Sequence, residues 1–407
     1  RFNEWLRTGR PDSNVFWISG RPGSGKSTLM KYLWRNTDVE KGLQGWAGDR
    51  TLIRLNFFFW AAGSSLEKSR KGLLRSLLFQ ILRRVPNIIR IVCHEKLKEA
   101  KRSIDGGILC EGVFWEESEL VSTLIDVVEK AISSPFCLCF FMDGLDEYDG
   151  SSLEIVGIIK RLAEIADVKL YIASRPLSIF GDHFGQDDRW NLPIHKLTED
   201  DIRLYTRDTL EANKTFRHIS QNDGRYQDLV AEIVENAHGV FLWVTLVIRS
   251  LLVGITAKDQ IEFLQGRFRD IPQDLNDMYE QILKKIDPVY KAHAAKIFLI
   301  LAYQGTTLNS SVKFWPVLMF YYLDAEVKDF SVKLAIQDVS EDQVLERYNE
   351  TCRTINKVCS GLVEAAAAGT EKRKYWNYLK PPFFIHQSAK EYLQAHTTSS
   401  FLRSGIP

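Results

Sequence analysis

The sequence predicts an α/β domain, with a parallel sheet covered by helices on both faces, followed by a helical domain and a winged-helix domain. Short, fully apolar runs alternate with segments of helical periodicity up to about residue 195, and strand signals then fade. Apolar runs without polar alternation are typical of strands buried on both faces, as in parallel sheets. We therefore expect domains at residues 1–195, 196–271 and 272–407.

The apolar runs of the first domain are predicted to be its strands, at residues 15–18, 52–60, 136–142 and 168–173. Helices are predicted between them, at residues 73–82, 120–132 and 151–166. Pro86 ends the first of these helices, since proline removes a backbone donor. Residues 1–14 are predicted to be a short lead-in and residues 101–112 a loop. Strands that alternate with helices indicate a parallel sheet.

Helical periodicity dominates the rest of the chain, with Pro272 and Pro288 at helix boundaries. The predicted helices are residues 199–212, 225–237, 240–253, 258–268, 274–286, 289–302 and 342–359. Two short apolar segments, 362–365 and 383–385, predict a small hairpin, and a helix follows at 388–395. Helices combined with a small hairpin are the pattern of a winged helix.

The composition is that of a globular protein without a strong overall electric field. A chain of 407 residues is too long for one ordinary core, and about two to four domains are expected. The formal net charge is +1, so we expect no nucleic-acid partner. The most apolar run, residues 239–248, is interrupted by Arg249 and is shorter than the roughly 20 residues that span a bilayer. No membrane span is therefore predicted.

The six cysteines contain no C-x-x-C pair, which favours reduced core thiols over a metal site or a disulfide framework. This pattern is typical of a cytoplasmic protein. The chain begins at Arg1, without a methionine or a signal peptide. We therefore expect a cytoplasmic piece of a longer protein.

Residues 20–27 match the phosphate-loop pattern G-x-x-x-x-G-K-[S/T] at every required position. An apolar strand precedes the loop and a helix follows it, so backbone N–H groups can point at phosphate oxygens. Lys26 can reach the β- and γ-phosphates, and the Ser27 hydroxyl can hold Mg²⁺. The predicted nucleotide-binding residues are Gly20, Arg21, Pro22, Gly23, Ser24, Gly25, Lys26, Ser27 and Thr28.

Charged residues follow two further strands at the same predicted edge of the sheet. Asp143 ends one apolar run, where a carboxylate can bind Mg²⁺ and its waters. Asp146 or Glu147 can orient or deprotonate an attacking water, and the sequence leaves that choice open. Arg175 follows the next strand, where a cation can neutralise γ-phosphate charge. We expect Asp146, Glu147 and Arg175 to act in catalysis.

These motifs resemble those of the NACHT nucleoside triphosphatases, which belong to the signal-transducing ATPases with numerous domains (STAND). The acidic continuation Gly144–Glu147 after the metal aspartate is a specific point of resemblance. Residues 57–60, 72–78, 241–243 and 271–279 resemble the NACHT modules of fungal incompatibility and immune-like receptors. The resemblance covers roughly residues 1–395.

The resemblance implies a nucleotide-binding domain, a helical domain and a winged-helix domain. It also implies that a winged-helix histidine contacts the β-phosphate of ADP, and His386 in the run 384–393 matches this motif. A histidine that caps the following helix is the structural alternative. The family often has a proline against adenine, but residues 238–245 give no match, so base recognition stays unassigned. The Asn-Lys-x-Asp motif that recognises guanine is absent from the sequence, which favours ATP and ADP as the nucleotides.

The function implied is a signalling switch with ATP or ADP and Mg²⁺ as its cofactors and slow ATP hydrolysis. An ADP-locked monomer would open and form homo-oligomers on exchange for ATP, and effector and sensor modules would lie outside this chain. A metabolic P-loop kinase and a DNA-binding ATPase are the alternatives. The first would need an acceptor pocket and a lid of arginines, and the second a basic recognition helix, whereas Lys390 is followed by Glu391.

Overall fold

The computed structural model describes residues 2–7, 14–61, 63–105, 115–132, 135–220, 223–303, 315–323, 339–366, 381–396 and 400–403. Two compact units are present, the first built from residues 1–212 and 230–244, the second from 213–229 and 245–407. The domain boundaries at residues 195 and 271 stay a prediction. Cys110 and residues 106–112 of the predicted loop lie outside the described residues, as does the polar stretch 367–380.

A five-stranded sheet of parallel strands forms the centre of the first unit, in the order β2-β3-β4-β1-β5. Its strands are β1 Val15–Ser19, β2 Thr51–Phe58, β3 Phe136–Asp143, β4 Val168–Ser174 and β5 Asn191–Pro193. The parallel sheet and its first four strands are confirmed. The sequence does not predict the fifth strand, because it has three residues, one of them Pro193, and no apolar run marks it.

Helices accompany the sheet throughout the first unit. They are α1 Phe2–Arg7, α2 Lys26–Arg35, α3 Thr37–Ala47, α4 Arg70–Arg84, α5 Ile89–Val92, α6 His94–Asp105, α7 Glu117–Ile132, α8 Ser152–Ala163, α9 Ser178–Phe184 and α10 Glu199–Glu211. The lead-in therefore contains a helix, and α6 continues four residues beyond Lys101 into the predicted loop. Asn36 caps α3 by accepting hydrogen bonds from the N–H groups of Asp38 and Val39.

The sheet is buried on both faces, because alternate residues of one strand belong to different apolar clusters. Trp17 packs in one cluster with Phe140, while Phe16 and Ile18 pack in the other with Phe141. Side chains of a strand point alternately to opposite faces, so two clusters require cover on both sides. All but the first residue of β3 are buried, which is why its sequence is apolar throughout.

The second unit is mainly helical. Among the described residues, the remaining α-helices are α11 Lys214–Ser220, α12 Arg225–Asn236, α13 Phe241–Thr256, α14 Ile261–Arg269, α15 Leu275–Lys284, α16 Pro288–Ala302, α17 Glu341–Val358, α18 Gln387–Ala395 and α19 Ser400–Arg403. Caps fix several of their ends, as where Asp287 accepts from the N–H of Val289 ahead of α16. Strands β6 Val363–Glu364 and β7 Phe383–Phe384 pair antiparallel, as the sequence predicts. The winged-helix assignment stays a prediction.

A membrane-crossing helix is not found within the described ranges, where each helix is too short or too polar to traverse a bilayer. The five described cysteines are buried thiols without disulfide partners among those residues.

Candidate nucleotide-binding site

The phosphate loop joins β1 to α2, and its backbone requires glycine. Gly23 and Gly25 have φ angles of +73° and +93°, a region that residues with a Cβ rarely adopt. Gly25 is the N-cap of α2, so the helix begins directly at Lys26. The first N–H groups of a helix lack intrahelical partners and carry partial positive charge. The end of the loop therefore suits a bound phosphate.

Lys26 holds its ammonium inside the loop. Its Nζ donates to the carbonyl oxygens of Gly20 at 2.9 Å and of Arg21 at 3.1 Å. Burial lowers the pKa of Lys26, and the nearby carboxylates of Asp146 and Asp143 oppose that shift. The ammonium thus lies among partners that phosphate oxygens can replace.

The remaining predicted residues of the loop lie around this ammonium. Arg21 and Thr28 are exposed, Pro22 is half-buried, and Ser24 is fully buried. The Ser24 Oγ has no hydrogen-bond partner among the described residues. A buried hydroxyl without a partner is costly unless a ligand or water satisfies it.

Asp143 ends β3 beneath the loop and is 3% exposed. The Ser27 hydroxyl donates to its carboxylate, which brings together the two residues predicted to hold Mg²⁺. Burial raises the pKa of Asp143, and the bond from Ser27 opposes this shift. The Asp143 Oδ1 has no partner within the described ranges. A hydroxyl beside a buried carboxylate with an unmet oxygen is a donor set that fits Mg²⁺.

Asp146 and Arg175 form a pair at the ends of neighbouring strands. One Asp146 oxygen accepts from the Arg175 backbone N–H at 2.9 Å, and the other lies 2.9 Å from Arg175 Nε. The Asp146 side chain is 5% exposed. Charge-assisted bonds of this kind are short and directional. Asp146 therefore fixes where Arg175 lies.

Glu147 occupies a different environment from Asp146. Its Oε2 accepts a hydrogen bond from the N–H of Ala61 at 2.9 Å, in the loop that follows β2. Burial raises the pKa of Glu147 to about 7, against the effect of the Ala61 bond and together with the repulsion from Asp146. A carboxylate that titrates near neutrality can exchange a proton with water at physiological pH.

The structure adds a segment that sequence reasoning left unassigned. At the start of α13, the N–H of Leu242 donates to the carbonyl of Gly23 at 3.1 Å. A Cβ on Gly23 would lie 2.6 Å from the Leu242 Cβ, so glycine allows this close contact. Residues 239–242 thus cover one side of the phosphate loop. In the sequence, Gly239 ahead of an apolar run is the one hint of this contact with the phosphate loop. The apolar run by itself indicates only a buried helix.

His195 is a second residue that the sequence did not reveal. It lies in the 3₁₀ turn that follows β5. Its Nδ1 is buried and has no hydrogen-bond partner in the described part of the chain. Burial lowers the pKa of His195, and the charges of Arg21, Lys196 and Lys26 lower it further.

His386 belongs to the second unit and caps α18. Its Nδ1 accepts from the N–H of Ser388 at 3.1 Å. The Ser388 hydroxyl lies 2.7 Å from the same nitrogen and 2.7 Å from the Tyr279 hydroxyl. The capping role expected as the structural alternative is therefore present. Contact of His386 with a β-phosphate stays a prediction.

Two family models each match part of this chain, and one known protein matches most of it. A family model described as "Nephrocystin 3, N-terminal" matches residues 1–175, and a domain of unknown function, DUF7791, matches residues 285–406. The vegetative incompatibility protein HET-E-1 of Podospora anserina is 21% identical over 393 residues, which cover 94% of this chain and 24% of that protein. The chain thus spans about a quarter of the length of this relative.

A search of solved structures matches Drosophila ORC bound to DNA with a TM-score of 0.35 and 11% sequence identity. The match covers 98% of this chain and 93% of the Drosophila chain. The Aeropyrum pernix ORC1 protein in complex with DNA has a TM-score of 0.31 and 11% identity, with 99% and 90% covered.

The phosphate loop, the Asp143–Glu147 turn and Arg175 converge at one edge of the sheet, as their order in the sequence requires. The match to the vegetative incompatibility protein HET-E-1 extends over nearly the whole chain. Residues 1–175 are thus similar to the Nephrocystin 3 N-terminal family, and most of the chain is similar to HET-E-1.

Proposed function

We propose that this chain is the nucleotide-operated switch of a NACHT/NLR-like protein. Bound ADP holds a closed monomer, and exchange for ATP opens it and permits assembly with further copies. The observation that carries this proposal is the buried Asp143 carboxylate, bonded to Ser27 beside Lys26 and left with an unmet oxygen. Such a carboxylate is costly in a folded protein unless a cation completes it.

Different residues bind the phosphates and the metal ion. Lys26 and the N-terminus of α2 bind the phosphates, while Ser27 and Asp143 hold Mg²⁺. When bound, the metal ion supplies neutralisation of phosphate charge. To bind phosphate, Lys26 exchanges its bonds to the Gly20 and Arg21 carbonyls for stronger charge-assisted ones.

Hydrolysis is assigned to Glu147. Both carboxylate oxygens of Asp146 contact Arg175, whereas Glu147 accepts one hydrogen bond, from the Ala61 N–H. Burial raises the pKa of Glu147 to about 7. Glu147 therefore accepts the proton of the attacking water, and Asp146 positions Arg175 to meet γ-phosphate charge. Slow turnover suits a switch, because the lifetime of the bound state carries the signal.

A switch requires a ligand that binds its two states with different affinities. We assign the difference to His386, which contacts the β-phosphate in the ADP state, and we place effector and sensor modules outside this chain. The proposal also assigns the protein to the cytoplasm and to fungal self-recognition or innate immunity.

The test is the nucleotide that copurifies with the protein. The purified chain is denatured, and the released nucleotide is identified by ion-exchange chromatography and mass spectrometry. ADP or ATP is expected in the wild type and neither in a Lys26→Ala variant. Release of a guanine nucleotide, or equal occupancy of wild type and variant, contradicts the proposal.

Assembly is tested separately by light scattering coupled to size-exclusion chromatography. The ADP-loaded protein should elute as a monomer and the ATP-loaded protein as a larger species. A monomer under both conditions removes the oligomerisation step and leaves nucleotide binding intact.

A further inference from the structure

His195 lies at the ligand-binding edge of the sheet because of the register between β1 and β5. The pairing Ile18↔Leu192 and Ser19↔Pro193 brings the end of β5 beside the start of the phosphate loop. One residue further, a Cβ on Gly20 would lie 2.5 Å from the Ile194 Cγ2. His195 is the next residue, beyond the carboxyl ends of the strands, where open α/β sheets bind ligands.

Two contacts hold Gly239 against the segment that contains His195. A Cβ on Gly239, whose φ is +78°, would lie 2.0 Å from the His195 carbonyl oxygen, so the two backbones touch. The Thr198 hydroxyl donates to the Gly239 carbonyl at 3.3 Å. His195 therefore lies between the phosphate loop and the segment that covers it.

The imidazole of His195 lies in an environment that leaves one ring nitrogen without a partner among the described residues and disfavours the charged form. Its Nδ1 is buried without a partner in the described ranges. Burial lowers the pKa of His195, and the positive charges of Arg21, Lys196 and Lys26 lower it further. Residues 239–242 carry no charged side chain that could raise this pKa. Arg21 and Lys26 belong to the loop that receives phosphate. An anion placed among these cations would reverse the balance of charge.

We propose that His195 contacts the bound nucleotide and donates a hydrogen bond from its ring to a phosphate oxygen as an imidazolium. The inference rests on the proposed function. The proton comes from solvent when the phosphates bind, so no further reactant is required. Because the anion raises the pKa of His195, binding takes up a proton between the pKa of the free and the bound protein. Affinity through His195 therefore increases as the pH falls through that interval.

The experiment is calorimetric titration of the chain with ADP in pairs of buffers that differ in ionisation enthalpy, which gives the protons taken up. The variant is His195→Gln, which keeps a hydrogen-bonding side chain but does not titrate. The matched control is His94→Gln, since the His94 side chain is 54% exposed and lies on α6 rather than in the loop. ADP and the other ionisable groups contribute equally in all three proteins.

Wild type and His94→Gln should take up more protons than His195→Gln, by up to about one proton per ADP. His195→Gln should bind ADP about tenfold more weakly at about pH 6, with a smaller loss at about pH 8. Equal proton uptake in wild type and His195→Gln overturns the inference while nucleotide binding stands. If the wild type binds neither ADP nor ATP, the proposed function fails and the inference fails with it.

A second measurement needs no substitution and covers the case in which His195→Gln does not fold. The imidazole ¹⁵N shifts of the wild type report the protonation of its eight histidines. One ring should pass from neutral to protonated when ADP is added near pH 7. If no ring gains a proton, His195 does not act in this way.

Discussion

The region around the phosphate loop and the His386 cap differ in whether their polar groups already have hydrogen-bond partners. In the first unit, Ser24 Oγ, Asp143 Oδ1 and His195 Nδ1 are buried without partners among the described residues. In the second unit, the His386 Nδ1 already accepts from Ser388. Buried polar groups are nearly always satisfied, so unmet ones that gather at one place indicate a ligand. The cap needs no ligand to explain its geometry.

The largest effect is expected at Glu147, where the comparison concerns chemistry as well as binding. Glu147→Gln should retain Mg²⁺–ATP binding and slow hydrolysis by about 10²–10⁴-fold, because a neutral amide cannot accept a proton from water. The measurement is phosphate release under saturating ATP.

The pH profile of hydrolysis sharpens this prediction. Since the pKa of Glu147 is raised to about 7, the wild-type rate should rise as the pH increases through that value and the carboxylate ionises. Glu147→Gln should lose this rise. If the variant hydrolyses ATP at the wild-type rate, the base lies elsewhere, and Asp146 is the next residue to test.

Lys26 tests whether the loop binds phosphate. Lys26→Ala should abolish detectable nucleotide binding, because a charged hydrogen bond to phosphate contributes roughly 1.5–3 kcal/mol and an ammonium has three N–H donors to offer. Circular dichroism should show that the fold survives. The control is Lys31→Ala, which changes an exposed lysine on the same helix. If Lys26→Ala binds nucleotide with an affinity near that of the wild type in calorimetry, the loop is not the phosphate-binding site.

Asp143 should affect binding and stability in opposite directions. Asp143→Asn should weaken the Mg²⁺-dependent part of ATP binding, measured with and without a chelator. Burial raises the pKa of Asp143, so its ionisation lowers the free energy of unfolding of the nucleotide-free protein. This penalty is absent at acidic pH and complete above the folded-state pKa. Near pH 7 the apo variant should therefore unfold at a higher denaturant concentration than the wild type, and a lower one would contradict the argument.

The sequence could predict those parts of the molecule that depend on neighbouring residues. The phosphate loop and Asp143 follow apolar strands directly, so their places at the end of β1 and β3 are local consequences of the pattern. Strand β5 has three residues and pairs only because β1 lies beside it. No local pattern marks such a strand.

The contact between Gly23 and Leu242 joins residues more than two hundred positions apart, and the environment of His195 depends on Gly239. Both arise from tertiary packing, which periodicity does not report. The proposed choice of Glu147 over Asp146 likewise depends on the hydrogen bonds of each carboxylate, which the sequence does not report.

The smallest effect, and the one that can break the comparison, is expected at His386. Loss of the cap in His386→Leu should lower stability by about 0.5–2 kcal/mol. If His386 also contacts the β-phosphate, the variant should release ADP sooner. Loss of about 1.4 kcal/mol from that contact would shift the closed-to-open ratio tenfold.

His386→Asn separates the two roles, because asparagine caps a helix well but does not have the reach of an imidazole. Stability is measured by denaturant unfolding, ADP retention by dissociation of a fluorescent analogue, and assembly by light scattering. Rescue of stability by asparagine without rescue of ADP retention supports the phosphate contact. Rescue of both places His386 in the structure of the second unit, and the ADP state is then held by another group.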